Sequence, residues 1–275
     1  MGKLENKVAL ITGGARGQGR SHAIALAREG ARIALVDAPK PIASVSYPLG
    51  TEAELDETVK LVQAEDIPAI ALQGDTRSMA DMRRVVSDTI ARFGQIDILL
   101  ANAGIASYSP LATMSDQMWH DMIDVNLTGT ANTIRAVLPH MIERSYGRIV
   151  VTSSQAGRKG IPNLAHYCSA KWGLSGLVRT VALEVAPFGG ITCNAILPGG
   201  VETPMMKNDE VYRTFRPDLD NPTLEDMEAV LRQLNPMPTE WIQPEDISAG
   251  VLYLVADEAR YVTGAMLDVA AAFNA

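Results

Sequence analysis

The sequence predicts an α/β protein built on a doubly wound parallel sheet of about seven strands, with helices on both faces. Three observations carry that class. Short apolar runs rich in β-branched residues alternate with helix-length segments along the whole chain. The runs lack in-out alternation, as strands covered on both faces do. A glycine cluster, TGGARGQG at 12–19, joins the first run to the first amphipathic segment.

In chain order the strand candidates are 7–12 (KVALIT), 31–37 (ARIALVD), 68–75 (PAIALQGD), 96–104 (IDILLANAG), 147–154 (GRIVVTSS) and 191–200 (ITCNAILPGG), with 262–270 (VTGAMLDVA) as a seventh. Helix start signals lie between them: Thr51 with Glu54, and Ser78 with Asp81, have capping-box spacing. Strands that alternate with helices connect by right-handed crossovers, which makes the sheet parallel. Two stretches break the alternation. Residues 38–50 are a proline-rich insertion after the second strand, and 203–241 form a long excursion with its own helical piece and several Met and aromatic residues. Loops this long in a compact domain are functional covers or disordered, and their places after strand ends predict covers. The chain 1–275 reads as a single domain.

Bulk properties exclude several classes. Hydrophobic residues are 47% and charged residues 20% of the 275, which is a globular composition. A net charge of −8 and the lack of a basic run disfavour a broad nucleic-acid footprint, and no nucleic-acid partner is expected. No apolar run reaches bilayer-spanning length, so no membrane partner is expected. MGKLENKVALITGG has neither the apolar region nor the cleavage site of a signal peptide, and Asn6 stands where myristoylation needs Ser or Thr. A cytoplasmic location is the expectation. Cys168, Cys193 and the four histidines have no metal-ligand spacing, and no metal is expected.

The glycine cluster carries the first chemistry. Gly13, Gly17 and Gly19 permit a tight turn, close backbone approach to a phosphate and close packing of helix on strand, and the helix N-terminus offers N–H groups to a pyrophosphate. Asp37 closes the second strand eighteen residues after Gly19, where an acid bonds the adenosine ribose hydroxyls. Its carboxylate repels a 2′-phosphate and Ala38 beside it is uncharged, which favours NAD over NADP. Arg16, inside the loop, argues the other way, by pairing a phosphate. The insertion at 38–50 then lies near the adenosine.

HYCSAKWG, 166–173, places Tyr167 and Lys171 on one helix face. Alone, that spacing equally describes a packed tyrosine beside a solvated lysine. It is not alone. TGGARGQG, GDT (74–76), NAG (102–104), DVNLTGT (124–130), VTSSQAG (151–157), YCSAK (167–171) and PGGVET (198–203) follow in order over nearly the whole chain, and together resemble the short-chain dehydrogenase/reductase family, with its Rossmann-type sheet. The insertion after Asp37, the phrase MIDVNLTG and the excursion after Thr203 further resemble the mycofactocin-associated subgroup, which includes carveol dehydrogenases.

The resemblance implies roles residue by residue. Tyr167 matches the general acid/base. Lys171 matches the group that lowers its pKa and holds the nicotinamide ribose, Ser154 the substrate-orienting hydroxyl, and Asn126 a support for a proton-relay water. Ser153 adjoins Ser154 but its register fits less well. Toward the cofactor, Gly13, Arg16, Gly17, Gln18 and Gly19 match the phosphate loop. Asp75 and Thr76 match the adenine side, Asn102, Ala103 and Gly104 the cofactor wall, and Pro198, Gly199, Val201 and Thr203 the carboxamide and pyrophosphate region. Structural readings stay open beside these: Asp75 as a turn cap, Asn102 as a strand-end clamp, Thr203 as a helix cap.

Elementary chemistry runs parallel to the resemblance. A free phenol, with a pKa near 10, is a poor proton acceptor at neutral pH, and a neighbouring ammonium together with a positive nicotinamide ring favours the phenolate. The expected activity is NAD-dependent oxidation of a hydrophobic secondary alcohol, carveol-like, to a ketone. Tyr108, Met205, Met206, Tyr212, Phe215 and Trp241 are candidates either for an apolar substrate pocket or for packing of a substrate lid at 203–241. Reduction of a ketone or a 3-oxoacyl thioester is the alternative chemistry. A catalytically silent NAD-binding redox sensor is the alternative class, against which stands the full set Asn126, Ser154, Tyr167 and Lys171. Two helices apolar on more than one face, 165–188 and 122–142, predict a homo-oligomer, dimer or tetramer. An insertion that slowed cofactor exchange would require an external redox acceptor. The chain departs from the family at its end, LDVAAAFNA, which lacks a glycine-rich finish.

Overall fold

In the computed structural model, which describes residues 2–38 and 40–275, seven strands form one parallel sheet. Residues 1 and 39, the second inside the expected insertion, lie outside the described residues. The strands are β1 (Val8–Thr12), β2 (Arg32–Asp37), β3 (Ala69–Gln73), β4 (Ile98–Ala101), β5 (Gly147–Thr152), β6 (Ile191–Pro198) and β7 (Met266–Val269), in the order β3-β2-β1-β4-β5-β6-β7. Every pairing is parallel. Their unalternating apolar runs have a direct cause: β1, β4 and β6 are buried at every residue, because helices cover both faces.

Alternate residues of one strand feed opposite layers. Val8 and Leu10 point into a core with α3 (Met79–Phe93), α5 (Thr130–Arg144) and α6 (Ala165–Val185), while Ala9 and Ile11 point into one with α1 (Gly17–Arg28), α2 (Glu52–Gln63) and α9 (Pro244–Val255). The second layer also holds a polar contact: Ser248 Oγ on α9 meets His22 Nδ1 and Ser21 Oγ on α1, each at 2.8 Å. Thr51 and Glu54 make the full expected capping box. Ser78 makes only half of one. Its side chain accepts from the Asp81 amide, but the Asp81 carboxylate turns to the Asp75 amide at 3.0 Å instead of back to Ser78.

A long helix runs from α4 (Asp116–Ile123) through a single wide π-helical turn, Asp124–Gly129, into α5. After β6 the excursion contains two helices where the sequence suggested one piece: α7 (Asp209–Phe215), capped by Asn208, and α8 (Leu224–Leu234), capped by Thr223. They share a small core of Val211, Met227, Leu231 and Trp241, and a parallel bridge between Val201 and Ile242 closes the base of the excursion. At the chain end Ala271 and Ala272 adopt φ of 47° and 63°. This left-handed backbone is one that glycine adopts without penalty.

Candidate active site

The connections leaving β1 and β4 diverge to opposite faces of the sheet and open a crevice at the strands' carboxyl ends. Thr12 and Asn102 bind its floor together. Thr12 Oγ1 accepts from the Asn102 and Ala103 amides, each at 3.1 Å, while Asn102 Nδ2 donates to the Thr12 carbonyl at 3.1 Å and its Oδ1 accepts from Thr152 Oγ1 at 3.1 Å. Asn102 therefore clamps three strand ends. Gly13, at φ 68°, passes so near this floor that a Cβ on it would stand 2.9 Å from Ala103 Cα.

The glycine loop ends at Arg16, the N-cap of α1, whose side chain makes no capping bond. The first amides of a twelve-residue helix are thus left to an outside acceptor, at the positive end of its dipole. At the tip of β2, Asp37 accepts from the Ala15 amide at 3.0 Å and the Ala38 amide at 2.9 Å. Burial holds its pKa above the ordinary value, opposed by those two amides and by Arg16. An anion-binding helix end beside a strand-end acid fits NAD. Arg16 does not supply the phosphate pairing that would favour NADP, because its guanidinium lies 3.5 Å from the Glu54 carboxylate and donates to the Pro48 carbonyl. Asp75 also faces the crevice, but its carboxylate grips Arg77 through Nε at 3.0 Å and Nη2 at 2.6 Å, so it caps its own turn as well. Thr203 Oγ1 bonds the Val201 carbonyl at 3.4 Å.

Farther along the same crevice stand Tyr167 and Lys171, one turn apart on α6. Lys171 Nζ lies 5.5 Å from the centre of the Tyr167 ring and donates to the Thr152 carbonyl at 2.8 Å. Ser154 begins the short turn Gln155–Gly157; its Oγ accepts from the Ala156 amide at 3.1 Å, which leaves its hydrogen to donate. Ser153 also borders the cleft, but its hydroxyl donates to the Lys171 carbonyl at 3.2 Å. Burial pushes the Tyr167 phenol up to about 12, with the Ser154 hydroxyl pulling the other way, and pushes the Lys171 ammonium down to about 8. In the protein alone the phenol is thus raised by burial and opposed by Ser154, and the lowering expected from the lysine is not seen.

The expected cofactor and catalytic residues line this one cleft, with the exception of Asn126. Asn126 lies fully buried behind the wall, in the π-helical turn, where its Oδ1 accepts from the Ile105 amide at 2.8 Å and its Nδ2 donates to the Ile105 carbonyl at 2.9 Å. Of the apolar candidates, Tyr108, Met205, Met206 and Phe215 line the cleft, with Tyr108 and Phe215 edge to face at 6.4 Å. Tyr212 and Trp241 pack the excursion against itself, and Trp241 Nε1 donates to Glu228 at 2.9 Å. Beyond Ala38 the sequence singles out no residue of the insertion, yet Ile42, Tyr47 and Leu49 form part of the cleft wall. The available signal was Tyr47, the insertion's one aromatic residue. Among the described residues no cluster of His, Cys, Asp or Glu could hold a metal, and no helix is long and apolar enough to cross a membrane.

Residues 7–212 match the protein family described as short chain dehydrogenase. The chain is 46% identical over 272 residues to a (−)-trans-carveol dehydrogenase of Rhodococcus erythropolis, covering 98% of each. Among solved structures it is similar to a carveol dehydrogenase of Mycobacterium avium in complex with NAD, with a TM-score of 0.96, 43% identity and 98% of each chain covered. A short chain dehydrogenase of Mycobacterium paratuberculosis bound to NAD superposes with a TM-score of 0.89 at 39% identity, again over 98% of each chain.

Proposed function

We propose, from the premise that the chain belongs to the short-chain dehydrogenase/reductase family as an NAD-dependent oxidoreductase, that it oxidises a neutral, hydrophobic secondary alcohol to a ketone. The observation that carries this is the convergence of Ser154, Tyr167 and Lys171 on one cleft, whose far end is walled by Tyr108, Met205, Met206 and Phe215. These four side chains carry no charge to greet an anionic substrate. The likeness to carveol dehydrogenases supports a monocyclic, terpenoid-like alcohol.

When bound, NAD supplies the hydride acceptor and, in its oxidised form, a positive ring that favours phenolate. The chain's own residues do the rest. Gly13, Gly17, Gly19 and the start of α1 hold the pyrophosphate, and Asp37 takes the adenosine ribose. The Ser154 hydroxyl donates to the alcohol oxygen and fixes its distance from Tyr167 Oη. The phenolate of Tyr167 accepts the hydroxyl proton. Lys171, anchored on the Thr152 carbonyl, keeps positive charge near that oxygen and reaches the nicotinamide ribose. Asn126 acts from behind, by fixing Ile105 in the wall.

The excursion at 203–241 serves as the substrate lid, since Met205, Met206 and Phe215 reach the cleft from it. Slow cofactor exchange, with reoxidation by an external acceptor, follows from the way the insertion is tied down. Its Pro48 carbonyl accepts from Arg16, Ser44 donates to Asp121 at 2.7 Å, and Ser46 donates to Glu210. A dimer or tetramer is part of the same reading, because α6 buries one side on the sheet and leaves Trp172 and Leu183 exposed on another.

The test is oxidation of a panel of cyclic secondary alcohols, read as the single-turnover absorbance of bound NADH and as steady turnover with an artificial electron acceptor, with Tyr167→Phe as the control. Loss of about 10²- to 10⁴-fold in kcat is expected from removing the acid/base. A variant that keeps wild-type turnover would refute the assignment.

A further inference from the structure

Tyr47 belongs to the insertion, far in sequence from the reacting groups, yet its ring is only 6% exposed and forms part of the cleft wall. Its Oη accepts from the Ala106 amide at 3.1 Å. Ala106 is itself buried, and its amide has no other acceptor among the described residues. The preceding residue, Ile105, has both backbone groups bonded to Asn126. Two successive residues of the wall are thus held by side chains from opposite directions, one from the π-helical turn and one from the insertion. Ile105 also packs with Met122 and Val125 against Ile42, Val45 and Leu49 of the insertion and against Tyr167. The insertion, the wall and the acid/base share one apolar cluster.

We infer, resting on the dehydrogenase reading above, that Tyr47 is a positioning residue for the reaction: through the Ala106 amide it sets the wall against which Tyr167 and the substrate are aligned. The insertion then completes the catalytic geometry as well as covering the cleft. Its other anchors let the two roles be separated, because Ser44 and Ser46 bond Asp121 and Glu210 and are not part of the cleft wall.

The experiment compares Tyr47→Phe with the double variant Ser44→Ala/Ser46→Ala in the full-length enzyme. In single turnovers of NAD-loaded enzyme at saturating alcohol, Tyr47→Phe should lower the rate of NADH formation by about 10- to 100-fold, the scale of a small misalignment of reacting groups, and should move the midpoint of its pH profile. The serine variant should speed the release of bound NADH while the single-turnover rate and its pH profile stay at wild type. Hydrogen exchange supplies a reading that needs no variant to fold: the Ala106 amide of the wild-type enzyme should exchange slowly. In Tyr47→Phe it should exchange faster while Ile105, still held by Asn126, stays slow. An unchanged single-turnover rate and pH profile in Tyr47→Phe would overturn the proposal. So would an Ala106 amide that exchanges like an exposed one in an active wild-type enzyme. A wild-type enzyme with a slow Ala106 amide that oxidises no alcohol, in a single turnover or with an artificial electron acceptor, would instead bring down the dehydrogenase reading, and this role with it.

Discussion

Replacing Asp37 with serine should move the enzyme from NAD toward NADP by a calculable amount. The carboxylate sits at the tip of β2, fixed by the amides of Ala15 and Ala38. A 2′-phosphate on the adenosine ribose must come within about 5 Å of it, where each unit of like charge costs about 3 kcal/mol at an effective dielectric constant of about 20. Salt and partial exposure reduce this, so about 3 kcal/mol in all is a sensible figure, or roughly 10²-fold in affinity for NADP. Arg16 does not cancel the repulsion beforehand, since Glu54 and the Pro48 carbonyl hold it; once the carboxylate is gone, its charge adds to the gain. NAD loses charge-assisted bonds to its ribose hydroxyls, worth about 1.5–3 kcal/mol, so its affinity should fall by about 10-fold or more. Together the preference should shift by about 10³-fold. The assay is calorimetric titration of wild type and Asp37→Ser with each cofactor at pH 8, with melting curves to show that both are folded. If NADP binds Asp37→Ser no more than a few-fold better than wild type, the carboxylate is not the discriminating group and the reasoning fails.

Two further outcomes concern stability. His22 is fully buried, and burial holds its pKa down at about 3 against an ordinary 6.5. Below pH 6.5 the unfolded chain takes up a proton that the folded one refuses, so its stabilising contribution is complete above that value and lost as pH falls toward 3. The loss runs at about 1.4 kcal/mol per pH unit, or roughly 2 kcal/mol at pH 5; denaturant unfolding at pH 7 and 5 should show it in wild type and not in His22→Asn. At the chain end, Ala272→Gly should raise stability by about 1 kcal/mol by relieving a left-handed alanine, and hence the melting temperature by about 2–4 °C; an unchanged or lower value would show that the strain is not there.

The strands were legible because burial on both faces leaves a chemical trace: unbroken apolar runs such as ARIALVD and ITCNAILP need no context to be read. The order of the motifs carried the glycine loop, Asp37 and the Tyr167–Lys171 pair, since local spacing sets these groups. What stayed hidden depends on contacts between distant segments. Nothing in DVNLTG announces a π-helical turn, which turns Asn126 back onto Ile105. Nothing local told Met205, Met206 and Phe215, which face the cleft, from Trp241, which the lid keeps for itself. The half capping box at Ser78 has a similar origin, because the Asp81 carboxylate is drawn away by a loop amide that the pattern does not contain. Tyr47 is the clearest case: its partner lies 59 residues away, so no motif joins them.

The small core inside the excursion has a consequence for how such an enzyme changes. Val211, Met227, Leu231 and Trp241 hold α7 and α8 to each other independently of the two cores that flank the sheet, and the Val201–Ile242 bridge ties the base of the unit to the body. Substitutions at the tips that face the cleft, Met205, Met206 and Phe215, therefore leave both the hydride chemistry and the foundation of the fold alone. A lineage, or an engineer, can replace this unit as a cassette and test a new alcohol without first rebuilding the catalyst.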